Sequence, residues 1–596
     1  MSFYFMCSAL MLSYSQDLPD MESLMAVSGA ESPEEMDAGE VERLLHYVER
    51  PLRVNDASVE QLVSSGLMSM YQAVSLVDYR ERHGAPATLT ELSAVDGFTH
   101  EHVRRISYFI TLETGRHPGT GPYARYDMAI RTGCSNTGDR NAFSYGVKAK
   151  VEVGDRISVS ASASSSAVPS VTFLDKYSGS ISYEFASIPL RLLAGDFKAR
   201  FGQGLALWNG MSMSGIPSPS ACMRTPYGLS DVYSFTGGTS LTGIAADLGL
   251  NRFKLTAFLA SPGIKYGYSS MMPAVNLAWR SRNVQIGVTH YCETRYSSKR
   301  NSFMVDEMKT SADMVACVRG TDVFMEIAYD WKNVAVACIA GTSFKVGEGI
   351  RLASMLRYYP ALFDSRWSGA IRSGTKCSNE YAAAVSCSMN RGGWVKIAGA
   401  EGFGTNIRRH SASFSADAAY YPVAKSASVL GKSIQVKVLA DWSVMLSESL
   451  RLKLRFSERF RTWGHPFRTD ARADLSWLSS RFTFNSRLNV LCCEKTGIAA
   501  YVEGGYKVKD ISVFLRHGYF KIDDWDDRIY VYERDAPGSF NVPALYGRGI
   551  WVSLYAMCKT CRKGRLYVRC SYTGYPFMQK KKPGRAELKL QYVMSF

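Results

Sequence analysis

Ala586-Glu587-Leu588-Lys589-Leu590-Gln591-Tyr592-Val593-Met594-Ser595-Phe596, the last eleven residues, decide how the rest of the chain is read. Leu588, Leu590, Tyr592, Met594 and Phe596 share one parity, and Glu587, Lys589, Gln591 and Ser595 the other; only Val593 breaks the rule. Extended backbone sends alternate side chains to opposite faces, so the stretch reads as a strand with one apolar and one polar face. Left as a free edge, such a strand would invite aggregation. Closing against a first strand removes the edge, which puts Tyr592, Met594 and Phe596 at a seam.

The same alternation recurs upstream. Val147, Ala149, Val151 and Val153 alternate with Lys148, Lys150 and Glu152, and Ile157, Val159, Ala161 and Ala163 continue against serines. Val323, Met325, Ile327, Tyr329 and Trp331 oppose Asp322, Glu326 and Asp330. Leu450, Leu452, Leu454 and Phe456 oppose Arg451, Lys453, Arg455 and Ser457; Phe253–Leu259, Ile434–Ala440 and Phe482–Val490 repeat the theme. Runs of about ten residues can cross a bilayer at a tilt, and roughly 24–26 of them fit between Tyr123 and Phe596, the fullest count being about 26. The fold class expected is mainly β: one large antiparallel transmembrane barrel over 120–596. Soluble propellers or stacked sandwiches also alternate. Aromatic residues at the ends of the apolar parity, and charges deep within the polar one, favour a barrel around water.

The ending resembles the C-terminal signal of bacterial outer-membrane β-barrels, aromatic last residue included. That resemblance implies an outer-membrane location, with lipid and the barrel-assembly machinery as partners. No window of 18 or more apolar residues follows the N-terminus, so no spanning helix is expected. Met1 to Ser15 is apolar and ends in small residues, as an unusual or truncated signal peptide would. Residues 16–50 read as an acidic linker with a short helix near Val41 to Tyr47. The chain carries +16 in all, and its first 115 residues carry −11, so the remainder carries +27. Such a split suggests two modules. The basic excess suits a pore wall or a surface against anionic lipid.

Between them, residues 51–115 read as helical. Asn55-Asp56-Ala57-Ser58 offers caps for a helix containing Leu62, and Ala73, Leu76, Val77 and Arg80 fall at helical spacing. Leu89, Leu92 and Val95 form another helix, and Val103, Ile106 and Ile110 a closing one. Two turns, Gly66-Leu67-Met68-Ser69 and Gly97-Phe98-Thr99-His100, complete an order that resembles the tandem helix-hairpin-helix domain of ComEA-like competence proteins. The whole chain resembles Bacteroidetes outer-membrane barrels with such an N-terminal domain, placed by that resemblance in the periplasm. Hairpins of this kind bind DNA when backbone N–H groups approach a phosphate. Here Ser69 and Thr99 (or His100) replace the second glycine, no lysine flanks either turn, and the module is acidic. Docking of a periplasmic protein, or plain structure, is the reading preferred over DNA.

Two irregular stretches interrupt the strands. Gly202-Gln203-Gly204 lacks the third glycine of a dinucleotide loop, so it reads as a close backbone approach leading into a loop folded in the lumen. Asp523-Asp524-Trp525-Asp526-Asp527 does not match a calcium loop and reads as a charged plug or external loop. Cys558-x-x-Cys561 alone cannot complete a zinc site, so free thiols or a local disulfide are expected. The nine histidines form no metal or nucleophile motif; His290 and His517 are expected to hydrogen-bond inside the lumen. No catalytic residue, metal or cofactor is assigned. Passage, export or assembly through a non-enzymatic barrel leads, followed by a DNA-uptake receptor and then a surface hydrolase.

Overall fold

The computed structural model describes residues 51–113 and 124–596 apart from short segments, chiefly 166–173, 211–221, 236–239, 263–268, 396–406 and 426–431, and some isolated positions. Of the first 50 residues it describes Leu24, Val27, Leu44, Tyr47 and Val48. The signal-peptide reading and most of the acidic linker therefore lie outside the described residues, as do Ser69, Thr99 and His100.

From Ala124 onward, strands join in one closed antiparallel ring. Twenty-four of the described strands make the wall, within the range read from the sequence and two short of its fullest count. The short strand Gly228–Asp231 also belongs to the ring's hydrogen-bonded order, but among the described residues its register is set against the inturned end of Leu190–Arg200. The last strand, Arg585–Ser595, pairs with the first, Ala124–Thr137: Tyr592 lies opposite Ile130 and Met594 opposite Met128. Phe596 and Tyr126 then exchange backbone hydrogen bonds at 2.8 and 3.2 Å. No edge remains in the ring, which removes the aggregation hazard of an open sheet. An even strand count brings both ends of the wall to the same rim.

Alternation explains the two faces. Ile181, Ile244, Leu356, Val385, Phe414, Leu454, Phe456, Leu515 and Phe596 point outward and are exposed, whereas Glu293, Glu326, Asp330 and Glu380 on the opposite parity are fully buried inside. Aromatic side chains meet near the strand ends. Tyr358 stacks on Tyr381 at 4.7 Å, Tyr329 meets Trp331 at 4.9 Å, and Phe482 meets Tyr506 at 5.0 Å near the other rim. Trp331 itself lies just beyond its strand, Thr321–Asp330, in the following turn.

The N-terminal module has its own core, built from Leu62, Leu67, Met68, Ala73, Leu76, Leu92, Val95, Phe98, Val103 and Ile106. Its described helices are α1 (Val59–Ser64), α2 (Met70–His83) and α3 (Leu89–Leu92). The capping residue is Ser58 rather than Asn55. Ser58 Oγ accepts from the Gln61 N–H at 3.2 Å, and Gln61 Oε1 accepts from the Ser58 N–H at 2.9 Å, a reciprocal box. Asn55 instead donates to the carbonyls of Pro86 and Leu112, tying start to end. Ile110 is not helical as the periodicity suggested: Ile110–Thr111 pairs in parallel with Leu52–Arg53. That pairing clasps the module shut. Helix α1 packs against the in-folded strand Gly228–Asp231.

Candidate functional site

Three segments from the rim opposite the termini fold into the lumen, and carboxylates on the inner parity hold them. The first covers 201–210 and 222–235. Fully buried Glu326 accepts hydrogen bonds from the backbone N–H groups of Gln203, Leu205 and Ala206 at 2.7, 3.0 and 3.2 Å. Gly202 has φ +56°, and a Cβ there would lie 2.8 Å from a Glu326 oxygen. The close approach read from Gly202-x-Gly204 is thus an approach to a carboxylate. Farther along, Ser160, Ser162 and Ser164 donate to the carbonyls of Val232, Ser234 and Phe235. Asp231 pairs with Lys150 at 3.4 Å and Arg191 at 3.6 Å. Lys150, opposed only partly by burial, holds the Asp231 carboxyl well below the usual carboxylate range, and Arg191 reinforces it.

The second segment, 360–379, has no periodicity and escaped sequence reasoning. Trp367 Nε1 donates to Glu293 at 2.8 Å, and the Arg366 N–H to Glu307 at 2.8 Å. It is zipped to the first segment through the Trp208 N–H on Trp367 O and the Gly369 N–H on Gly204 O. Beneath it lies Arg357, wholly buried, bonded to Glu380 at 3.0 Å and Asp417 at 2.5 Å. The only advance signal was the inner-parity carboxylates themselves.

The third segment, 523–546, is the charged aromatic stretch, and it divides its aspartates among separate tasks. Asp523 grips Arg548 at 2.6 and 2.8 Å, Asp526 meets His465 at 2.9 Å, and Asp527 accepts from the N–H groups of Cys493, Glu494 and Lys495. Its interior end is pinned by Arg516 on Tyr532 O, Lys589 on Asp535 and Gln591 on Pro537 O. Burial raises the Glu533 carboxyl, even with Arg569 beside it. For Arg534, burial pulls the guanidinium down but the Glu503 carboxylate outweighs it, leaving it raised.

One arc of wall is treated differently. Strands Ser433–Met445, Leu450–Arg461, Phe467–Leu478 and Phe482–Cys492 turn outward Ile434, Leu454, Phe456, Phe467, Trp477, Phe484 and Leu488, all exposed. The opposite parity carries Lys437, Arg451, Lys453, Arg455, Arg459, Arg461, Arg468, Arg472 and Arg487 against Asp441, Asp470 and Asp474. Asp474 alone serves Arg487 at 2.5 Å and Arg472 at 3.2 Å, and Asp441 meets Arg455 at 3.9 Å. The balance on this arc is strongly positive. A circular ring of 24 strands tilted by about 40° would measure roughly 45–50 Å between backbones, room for the in-folded segments and for water beside them.

Other expectations fall as follows. Gly66 and Gly97 are left-handed, with φ +67° and +83°, and Leu67, Met68 and Phe98 are buried in the module core. Gln72 Nε2 donates to Gly97 O at 2.9 Å, joining helix α2 to the second turn. His290 and His517 do not face the lumen. Both share the outward parity, with Val288 and Leu515, and His290 bonds Thr310 at 2.9 Å. An outer-face threonine thus satisfies a polar ring that sequence alone had turned inward. Cys558 and Cys561 are free thiols beside a hairpin turn. Among the described residues no three His, Cys, Asp or Glu side chains come together as metal ligands.

No protein-family model matches the chain, and no curated protein does. Among solved structures it is similar to the siderophore receptor PirA from Pseudomonas aeruginosa (TM-score 0.40, 8% identity, 80% of this chain and 81% of that one). It is also similar to the copper transporter OprC (0.38, 8%, 80% and 80%) and to the translocation pore of the P pilus usher PapC (0.33, 9%, 79% and 99%).

Proposed function

We propose that this chain is a non-enzymatic bacterial outer-membrane barrel that passes or exports anionic cargo along the basic arc of its lumen. The carrying observation is the inversion of faces: exposed Leu, Phe and Trp outside, and buried or water-facing charge inside. Hydrocarbon tolerates the first and would expel the second. The three in-folded segments narrow the passage, and the excess of cations at Lys437–Arg487 concentrates anions there. The helical module enters from the periplasmic side, where its contact with Gly228–Asp231 lets it gate the lumen or dock a periplasmic protein. Heat-modifiable gel migration and planar-bilayer conductance test this. A compact, heat-sensitive form with anion-selective steps is expected; material soluble without detergent, or a cation-selective pore, would end the reading.

DNA uptake is the second reading, favoured by the left-handed Gly66 and Gly97, whose conformation matches turns that present N–H groups to phosphate. Gel shift of the full chain in detergent separates the two. Micromolar duplex binding that falls steeply with salt would favour uptake.

A further inference from the structure

Most charges that hold the lumen loops are matched by partners, but among the described residues the side-on edge of one buried loop guanidinium is not. From Arg200 to Gly228 the chain contains two arginines and no Asp or Glu, the stretch 211–221 included. In the facing segment 360–379 the single acid, Asp364, pairs with Lys376 at 3.2 Å. Between the two lies Arg224, 6% exposed. Its backbone is clamped by Gln203, whose Oε1 accepts from the Arg224 N–H at 2.9 Å and whose Nε2 donates to Arg224 O at 3.3 Å. Its guanidinium sits 4.6 Å from the centre of the Trp208 ring.

Among the described residues, Nε and Nη2 of Arg224 have no hydrogen-bond partner. Those two atoms form the side-on edge of a guanidinium, whose parallel N–H groups match the two oxygens of a carboxylate. Arg200 lies over Tyr227 at 4.8 Å and Trp208 at 5.4 Å, and Arg372 bonds Cys377 from the facing segment. Both cations act on Arg224 and bring no counter-charge. Burial, and then Arg200, lowers the Arg224 guanidinium to about 9, so it remains charged at neutral pH. A buried, fork-shaped cation without an acceptor is expensive in free energy, a cost that a planar anion on its open edge would relieve.

We propose that Arg224, flanked by Arg200 and Arg372 and stacked beside Trp208, binds the carboxylate of a small organic acid side-on through Nε and Nη2. The proposal does not depend on the passage reading, because binding is measured in detergent with no membrane present. The full-length chain is titrated calorimetrically with sodium acetate and sodium succinate, against sodium chloride at equal ionic strength and against acetamide. Saturable heat is expected with the carboxylates and not with chloride or acetamide. R224Q should bind at least about tenfold more weakly, and R224K nearly as poorly, because an ammonium cannot fork. An equal response to acetamide or chloride, or undiminished binding by folded R224Q, overturns the assignment. Should R224Q not reach the heat-modifiable folded band, the acetate-against-acetamide comparison on the unaltered chain decides alone.

Discussion

Strands Thr321–Asp330 and Leu450–Arg461 obey the same alternating pattern, yet their inner faces end in different circumstances. Glu326 is wholly buried, its oxygens taken by three backbone N–H groups of an in-folded loop. Arg451, Lys453, Arg459 and Arg461 stay partly exposed on the lumen side. What differs is what lies opposite. Where inner acids meet loop N–H groups and arginines, charge is consumed in holding a plug. Where cations outnumber acids across four neighbouring strands, the surplus remains as a field in water. Burial makes the first kind of charge a matter of stability, and hydration leaves the second kind to act, under the passage proposed above, on selectivity.

The sharpest break of this comparison is at Arg357. R357M would leave Glu380 and Asp417 buried without their cation, and urea unfolding in detergent should show a loss of about 3–5 kcal/mol. E326A comes next, at roughly 2–4 kcal/mol, because it orphans three neutral N–H groups rather than two charges. Limited proteolysis should cut 200–235 faster in that variant, and conductance should rise as the loop loosens. Unchanged proteolysis would mean that the zipper to 360–379 suffices without the carboxylate.

D231N probes the same side more gently. Lys150 holds the folded-state Asp231 carboxyl below its unfolded value of about 3.9, so its contribution is fully present above that pH and is lost as pH falls. At pH 7 the variant should be less stable by about 1–2 kcal/mol, and the gap should narrow progressively as pH falls below about 3.9, closing only once pH passes the depressed folded-state value. A gap that persists in acid would point to packing rather than charge. The smallest stability change belongs to the basic arc. Replacing Arg451 and Lys453 together by Gln should cost under about 1 kcal/mol. Reversal potentials should nonetheless move toward cation permeation, with anion preference falling a few-fold. Loss of stability without loss of selectivity would reverse the roles assigned to the two arcs.

Period-two alternation was legible because a strand's two faces meet different solvents, and each residue's class records which one. Hence Arg140–Val153, Phe253–Ala260, Leu450–Arg461 and the closing strand Arg585–Ser595 could be found from residue type alone. The close approach at Gly202 was also visible, since only a glycine escapes the clash; its partner Glu326, more than 120 positions away, was not. Segment 360–379 left no periodic trace because its anchors are carboxylates of other strands that bond the Arg366 backbone, which any residue type would supply, and a single Trp367 side chain. His290 and His517 were misplaced for a related reason: both sit on the outward parity, and for His290 the partner there is Thr310 on the neighbouring strand, which residue type alone does not reveal.

Residue order by itself determined that this chain makes strands with a greasy and a charged side, that the last is built to close a ring, and that acidity is concentrated before the ring begins. Tertiary structure alone decided how many strands close, which inner charges are spent on loops, and where a cation such as Arg224 is left facing others of its kind. Alternation is a local property of extended backbone, whereas the partner of a buried charge is set by packing between residues that the chain keeps far apart.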